Sequence, residues 1–250
     1  LDPLDRPAGA PERGTAYHAA LERWVRSLGD TEILPRDALQ RLLAHGQTAL
    51  SEAGFSENAL GVEMKRFERV AQFMVAFEEA RREDGFTPAA LEALGDISFD
   101  APGGLFTLTG RADRIDLRPS GALDILDYKT GMPPSAKEVA AGFAPQLPLE
   151  AAMAARGAFE HAPSHEPGDL MYVRLSGGRV PGEPRSMVRN PDGDDAGMLA
   201  EQALERLMKW VAAFDDPQRT YPSQPRVKFT NKWGDYDHLA RRKEWASAPG

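Results

Sequence analysis

The order of hydrophobic patterns along these 250 residues predicts an α/β protein. The expected architecture is a central mixed sheet flanked by helices, with a helical N-terminal segment and a C-terminal helix plus tail. Three observations predict it. Helical periodicity dominates residues 12–90, strand-like runs cluster from about residue 95, and an amphipathic stretch at 194–214 precedes a Pro-rich tail. One domain is expected, with residues 12–90 as its helical part, 91–190 as the sheet core and 191–250 as the closing helix and tail.

After the Pro-rich lead-in LDPLDRPAGAP, a helix is predicted from about Glu12 to Leu28, where Gly29 is placed to end it. Tyr17, Leu21, Trp24, Val25 and Leu28 recur at helical spacing, so one face is expected to be buried, with His18 at its edge. Residues 36–50 and 57–83 read as two more helices, the second with Val62, Phe67, Val70, Phe73, Met74 and Phe77 on one face. ISFD, LFTLTGRADRIDL and ALDILDYKT then read as three successive strands separated by Pro/Gly turns. Short helical stretches reach Gly157, DLMYVRL (169–175) reads as a strand, and RVPGE (179–183) as a weaker one.

Composition narrows the function. Hydrophobic residues at 42 % and charged residues at 27 % are ordinary for a soluble globular chain, and no apolar run is long enough to span a bilayer. The absence of cysteine excludes thiolate metal sites, iron–sulfur clusters and cysteine nucleophiles, and is compatible with a cytoplasmic location. A first residue of Leu rather than Met leads to the expectation of a longer parent protein. The net charge of −8 opposes non-specific nucleic-acid binding. Local charge differs, however: residues 221–245 carry six Lys and Arg against three Asp and Glu, interleaved with aromatic residues.

Chemistry concentrates in DILDYKTG (124–131), where Asp127 and Lys129 close an apolar run. Unpartnered buried charge is costly, so the pair is either a structural ion pair or a site. Strand alternation puts Leu123, Ile125, Asp127 and Lys129 on one face, and likewise Arg111, Asp113, Ile115 and Leu117. Pro119-Ser120-Gly121 suits a three-residue hairpin loop that pairs Arg118 with Ala122, and hence Asp113 with Asp127. A two- or four-residue loop would send Asp113 to the other face. Opposed carboxylates repel unless a cation lies between them, and hard oxygen ligands select Mg²⁺ or Mn²⁺. Lys129 could then position an attacking water or offset charge on a phosphate. The other reading is an Asp127–Lys129 ion pair with Asp113 bonded to Arg111 or Arg114.

An Asp on the second strand followed by Asp-x-Lys on the third resembles the PD-(D/E)XK nuclease signature. GRADRID (110–116), DYKTG (127–131) and PQLPL (145–149) are similar to the RecB/AddB-type exonuclease domain of bacterial recombination helicase–nucleases. RGTAYHAALE (13–22) resembles its histidine-bearing helix, and YPSQPRVKFTNKWGDYDHLAR (221–241) the C-terminal end of AddB subunits. The resemblance spans nearly the whole chain and implies a restriction-endonuclease-like sheet. By it, Asp113, Asp127, the Tyr128 carbonyl and His18 hold Mg²⁺ or Mn²⁺, Lys129 is the catalytic lysine, and Gln146 is the active-site glutamine. It further implies exonuclease action on single-stranded DNA ends beside an AddA-like partner subunit in double-strand break repair.

Other readings stay open for several of these residues. His18 could be a packing histidine and Gln146 a helix cap. Asp116 and Asp124, on the opposite face, suit solvated or Arg-paired roles. Glu92 lies near a family acidic position, yet nothing in its local pattern supports ligation. Glu150 stands where many relatives have Tyr, and no cysteine is present to build the cluster that clasps many relatives. The aromatic tail is the expected substitute. A non-catalytic nuclease-fold module that binds DNA or scaffolds a partner is the rival function.

Overall fold

The computed structural model describes residues 7–29, 31–189 and 195–220, so the basic-aromatic tail and its expected packing role lie outside the described residues. Helix α1 (Ala10–Leu28) starts at Pro11 and Glu12, whose carboxylate accepts the Gly9 N–H at 2.6 Å. The restricted φ of Pro and an acidic first turn both favour a helix start. Gly29, at φ +62°, ends the helix in a conformation that a side chain would resist. The predicted stripe is buried: Tyr17, Leu21 and Trp24 are fully enclosed.

Helices α2 (Ala38–Glu52) and α3 (Glu57–Glu83) complete one layer. Val62, expected in the core, is 68 % exposed. The buried stripe of α3 instead begins one residue later, at Glu63, whose carboxylate takes the Arg13 guanidinium at 2.7 and 2.9 Å.

Five strands form one sheet in sequence order: β1 (Thr87–Ala101), β2 (Gly104–Leu117), β3 (Leu123–Lys129), β4 (Pro167–Leu175) and β5 (Gly182–Ser186). All neighbours are antiparallel except β3 and β4, which are parallel and joined through α4 (Ala136–Ala140) and α5 (Gln146–Ala155). Helix α6 (Asp195–Phe214) follows β5. The sheet is therefore mixed, as expected, but β1 starts at Thr87 rather than near residue 95. TPAALEALG lacks the alternation of a strand; long-range pairing with β2 decides its conformation.

The two sheet faces are buried by different helices. Leu126, Tyr128, Val173 and Leu175 pack with α1–α3, whereas Ile115, Ile125, Leu170 and Tyr172 pack with α5 and α6. The β2–β3 turn closes as its residues dictate: Arg118 donates to the Ala122 carbonyl at 2.8 Å and Gly121 sits at φ +89°. The ladder then runs Leu117↔Leu123, Asp116↔Asp124, Ile115↔Ile125 and Arg114↔Leu126.

On the α1–α3 face this register buries a lattice of charges. Arg81 donates to Asp116 (2.6 Å) and Asp124 (3.0 Å); Arg114 donates to Asp116 and Glu78 (2.6 Å each). Arg82 donates to Glu78 at 2.7 Å and to the Thr31 carbonyl, and Arg118 caps Asp124. Asp116 and Asp124 are thus Arg-paired and buried rather than solvated. Every carboxylate in the lattice is held by two guanidinium groups, which is what makes burying it tolerable.

Candidate metal and catalytic centre

The β2–β3 ladder stops one rung before Asp113 and Asp127, and the site lies in that fork. In an antiparallel pair hydrogen-bonded rungs alternate, so after Arg118/Ala122, Asp116/Asp124 and Arg114/Leu126 the next would join Ala112 to Tyr128. Side chains take it over. Asp113 Oδ2 accepts the Tyr128 N–H at 2.8 Å, and the Tyr128 carbonyl lies 2.8 Å from His18 Nε2. Helix α1 thereby delivers His18 into the fork, its ring edge-on to Tyr128 with centroids 6.0 Å apart.

With Nε2–H donating to that carbonyl, His18 Nδ1 faces two carboxylates, Asp113 Oδ1 at 3.3 Å and Glu92 Oε1 at 3.6 Å. Burial disfavours the charged ring, but hydrogen bonds to Asp113 and Glu92 outweigh it and raise the histidine to about 10. His18, Glu92 and Asp113 each offer one ligand atom, all within 4.8 Å of one another; among the described residues this is the group that could hold a metal ion. Glu92 was the residue whose local pattern gave no support. It reaches the site because β1 pairs Leu91↔Arg114 and Ala93↔Ala112, placing Glu92 opposite Asp113. Its φ of +48° is unusual for a residue inside a strand and stores backbone strain at the centre. Arg111 approaches its other oxygen at 3.6 Å.

One strand further, Asp127 is 1 % exposed and outside that three-residue group. Lys129 Nζ lies 2.7 Å from both its oxygens, so the ion pair exists, while Asp113 engages neither Arg111 nor Arg114. Gln146, first residue of α5, donates through Nε2 to Asp127 Oδ1 (2.6 Å) and Glu150 Oε1 (3.1 Å), and its Oε1 accepts from Lys129 at 3.2 Å. Burial and the neighbouring Asp113 push Asp127 up to about 6, against the pull of Lys129. Burial likewise pushes Glu150 up to about 8. Asp127 Oδ2 and Glu150 Oε2 are buried without a hydrogen bond of their own.

Glu92, Asp113 and Asp127 therefore stand in one row across three strands, flanked by His18 on one side and Lys129 and Gln146 on the other. His18, Asp113, Asp127, Lys129 and Gln146 converge here. The Tyr128 carbonyl does so as the acceptor of His18. Imidazole and carboxylate donors in this set fit a hard divalent cation such as Mg²⁺ or Mn²⁺. No helix among the described residues is long and apolar enough to cross a membrane.

Comparison with known proteins agrees with this geometry. A family model for the PD-(D/E)XK nuclease superfamily matches residues 2–226. An uncharacterized protein of Rickettsia bellii is 27 % identical over 154 residues, 62 % of this chain and 18 % of that protein. Uncharacterized proteins of Rickettsia felis and Rickettsia conorii are each 38 % identical over 68 residues, 27 % of this chain and 8 % of theirs. The matched regions thus cover less than a fifth of these relatives. The crystal structure of SSO0001 aligns over 82 % of this chain and 79 % of its own, at 14 % identity and a TM-score of 0.30, too loose a likeness to argue from.

Proposed function

Because the chain belongs to the PD-(D/E)XK nuclease superfamily, we propose that it is a divalent-cation-dependent deoxyribonuclease that degrades single-stranded DNA from an end. The observation that carries the reading is the row Glu92–Asp113–Asp127 with Lys129 beside it, at a point where the sheet has opened.

Glu92, Asp113 and His18 Nδ1 are the groups that would hold the cation, with Asp127 next in the row. Once bound, Mg²⁺ or Mn²⁺ supplies charge stabilisation for a phosphate and lowers the pKa of water. The protein's own residues do the rest. Lys129, a third exposed and anchored by Asp127 and Gln146, presents an ammonium to the phosphate oxygens that gain charge in the transition state. His18 keeps Nε2–H on the Tyr128 carbonyl, which fixes Nδ1 toward the centre. Gln146 holds Asp127 and Lys129 in fixed relation.

Exonuclease action, DNA as substrate, a cytoplasmic helicase–nuclease assembly with an AddA-like partner and a role in double-strand break repair are supported by the RecB/AddB-like motifs GRADRID, DYKTG and PQLPL. Digestion of single-stranded DNA labelled at either end, with Mg²⁺ and with EDTA, tests the reading. Stepwise shortening that requires Mg²⁺ and disappears in Asp127→Asn is expected; cleavage that survives EDTA overturns it.

A further inference from the structure

We propose that the C-terminal half of α6 is a stacking platform for a single-stranded nucleic acid, placed to receive the strand that occupies the centre. The proposal rests on the nuclease reading only for what lies at the end of the path.

Helix α6 buries Ala196, Ala200, Ala203 and Leu204. A second stripe, Arg206, Trp210 and Phe214, recurs at i, i+4 spacing, about 5–6 Å between successive Cβ atoms. Trp210 and Phe214 stack with centroids 5.6 Å apart and planes 15° from parallel, and the Arg219 guanidinium lies 5.6 Å from the Phe214 ring. Among the described residues the stack ends at Trp210, which is 46 % exposed. A large aromatic surface left open at the end of a preformed stack is what an unpaired base needs, since every base offers a π-face.

One turn before Trp210 stands Arg206. Its guanidinium bonds only the Ala140 carbonyl, at 3.4 Å from both terminal nitrogens, and no carboxylate among the described residues neutralises it. The nearby acids are engaged elsewhere. Glu205 pairs with Lys209, Asp215 accepts the Gly103 N–H, and Asp216 accepts the Gln218 N–H. Among the described residues no carboxylate lies in salt-bridge contact with Arg206, which leaves its guanidinium available to a phosphate.

Arg206 also ties this stripe to the centre. It packs over Gly142, where a Cβ would collide with it, in the loop joining α4 to α5. That loop ends at Gln146, which holds Asp127 and Lys129. Arg206 thereby links the stripe that carries Trp210 to the loop that ends at Gln146. Aromatic faces with few cations also suit a chain of net charge −8.

The test is fluorescence anisotropy of 5′-fluorescein-(dT)12 with the 250-residue chain in EDTA. Trp210→Ala is expected to weaken binding at least about fivefold and Trp210→Phe to restore most of it, as base–aromatic stacking predicts. The platform's two phosphate contacts contribute about −1.4 to the log–log salt slope, and Arg206→Gln is expected to reduce the slope by about 0.7. Equal affinity in wild type and Trp210→Ala at matched urea midpoints, or no binding by wild type, overturns the platform. Mg²⁺-dependent cleavage by wild type is scored separately: binding through Trp210 without cleavage overturns the nuclease reading and leaves the platform standing.

Discussion

Neighbouring residues of β2 and β3 lead to opposite faces and opposite fates. Arg114, Asp116 and Asp124 enter the lattice beneath α3, where each carboxylate meets two guanidinium groups. Asp113, one residue from Arg114, and Asp127, three from Asp124, join Glu92 in a row of three carboxylates whose cationic partners among the described residues are His18, Lys129 and a distant Arg111. At that centre Glu150 Oε2 is buried without a hydrogen bond, and Asp127 Oδ2 is met by the Lys129 ammonium alone, whereas in the lattice the unpartnered group is a donor, Arg82 Nη2. Compensated charge lies beneath α3, and less compensated charge gathers at the candidate centre, where the proposed function would use it for a cation and a phosphate. Separate losses of stability and activity would express that difference.

The largest expected effect falls on the lattice. Arg114→Ala strips a donor from both Asp116 and Glu78 in the dry interior and should cost about 3–5 kcal/mol in urea unfolding. Burial raises the Asp116 carboxyl, but Arg114 and Arg81 outweigh it and hold it below its ordinary 3.8. Its stabilisation is thus complete above that value and is lost as acid protonates the folded state. Stability of Arg114→Ala equal to wild type would remove one side of the contrast.

Lys129→Ala should lower cleavage about 10²–10³-fold, roughly 3–4 kcal/mol of transition-state stabilisation, while the urea midpoint stays near wild type. A smaller rate loss accompanied by unfolding would make the lysine structural. Glu150→Gln probes the cost of undercompensation. Because its folded carboxyl is held near 8 and an unfolded one near 4.5, wild-type stability falls as pH rises between those values. Glutamine should erase that slope and gain about 1–3 kcal/mol above pH 8, the worth of one unsatisfied buried group. Parallel stability–pH curves for variant and wild type would contradict it.

Cation uptake carries the smallest predicted change per step. Metal-free His18 keeps its proton up to about pH 10, and a cation must displace it from Nδ1. Apparent Mn²⁺ affinity should therefore rise with pH, by up to about tenfold per unit, in calorimetric titrations at pH 6 and 8. A pH-independent affinity would take His18 out of the ligand set.

Much of the site was legible because short turns transmit register. Pro119-Ser120-Gly121 set Asp113 opposite Asp127, and the lattice formed on the face where alternation put Asp116 and Asp124. Glu92 was hidden for a local reason: Leu91-Glu92-Ala93-Leu94 has neither β-branched residues nor alternation, and its strand conformation comes from β2. A signal was nevertheless present. Pro102-Gly103 is a two-residue connection joining Ala101 to Gly104, and counting back nine residues on each strand gives Glu92 opposite Asp113. The left-handed turn at Glu92 could not be counted, since it depends on the packing around it. Glu63 in the α3 stripe was missed similarly, its burial depending on Arg13 fifty residues away.

The division of labour between the two faces is tested most directly by Asp113→Asn, assayed in parallel for urea unfolding and Mn²⁺ binding. Asparagine can still accept the Tyr128 N–H that keeps the fork in place. The predicted result is an unfolding midpoint at or above that of wild type with Mn²⁺ uptake lost. A fall in stability comparable to Arg114→Ala, with Mn²⁺ uptake intact, would contradict the account.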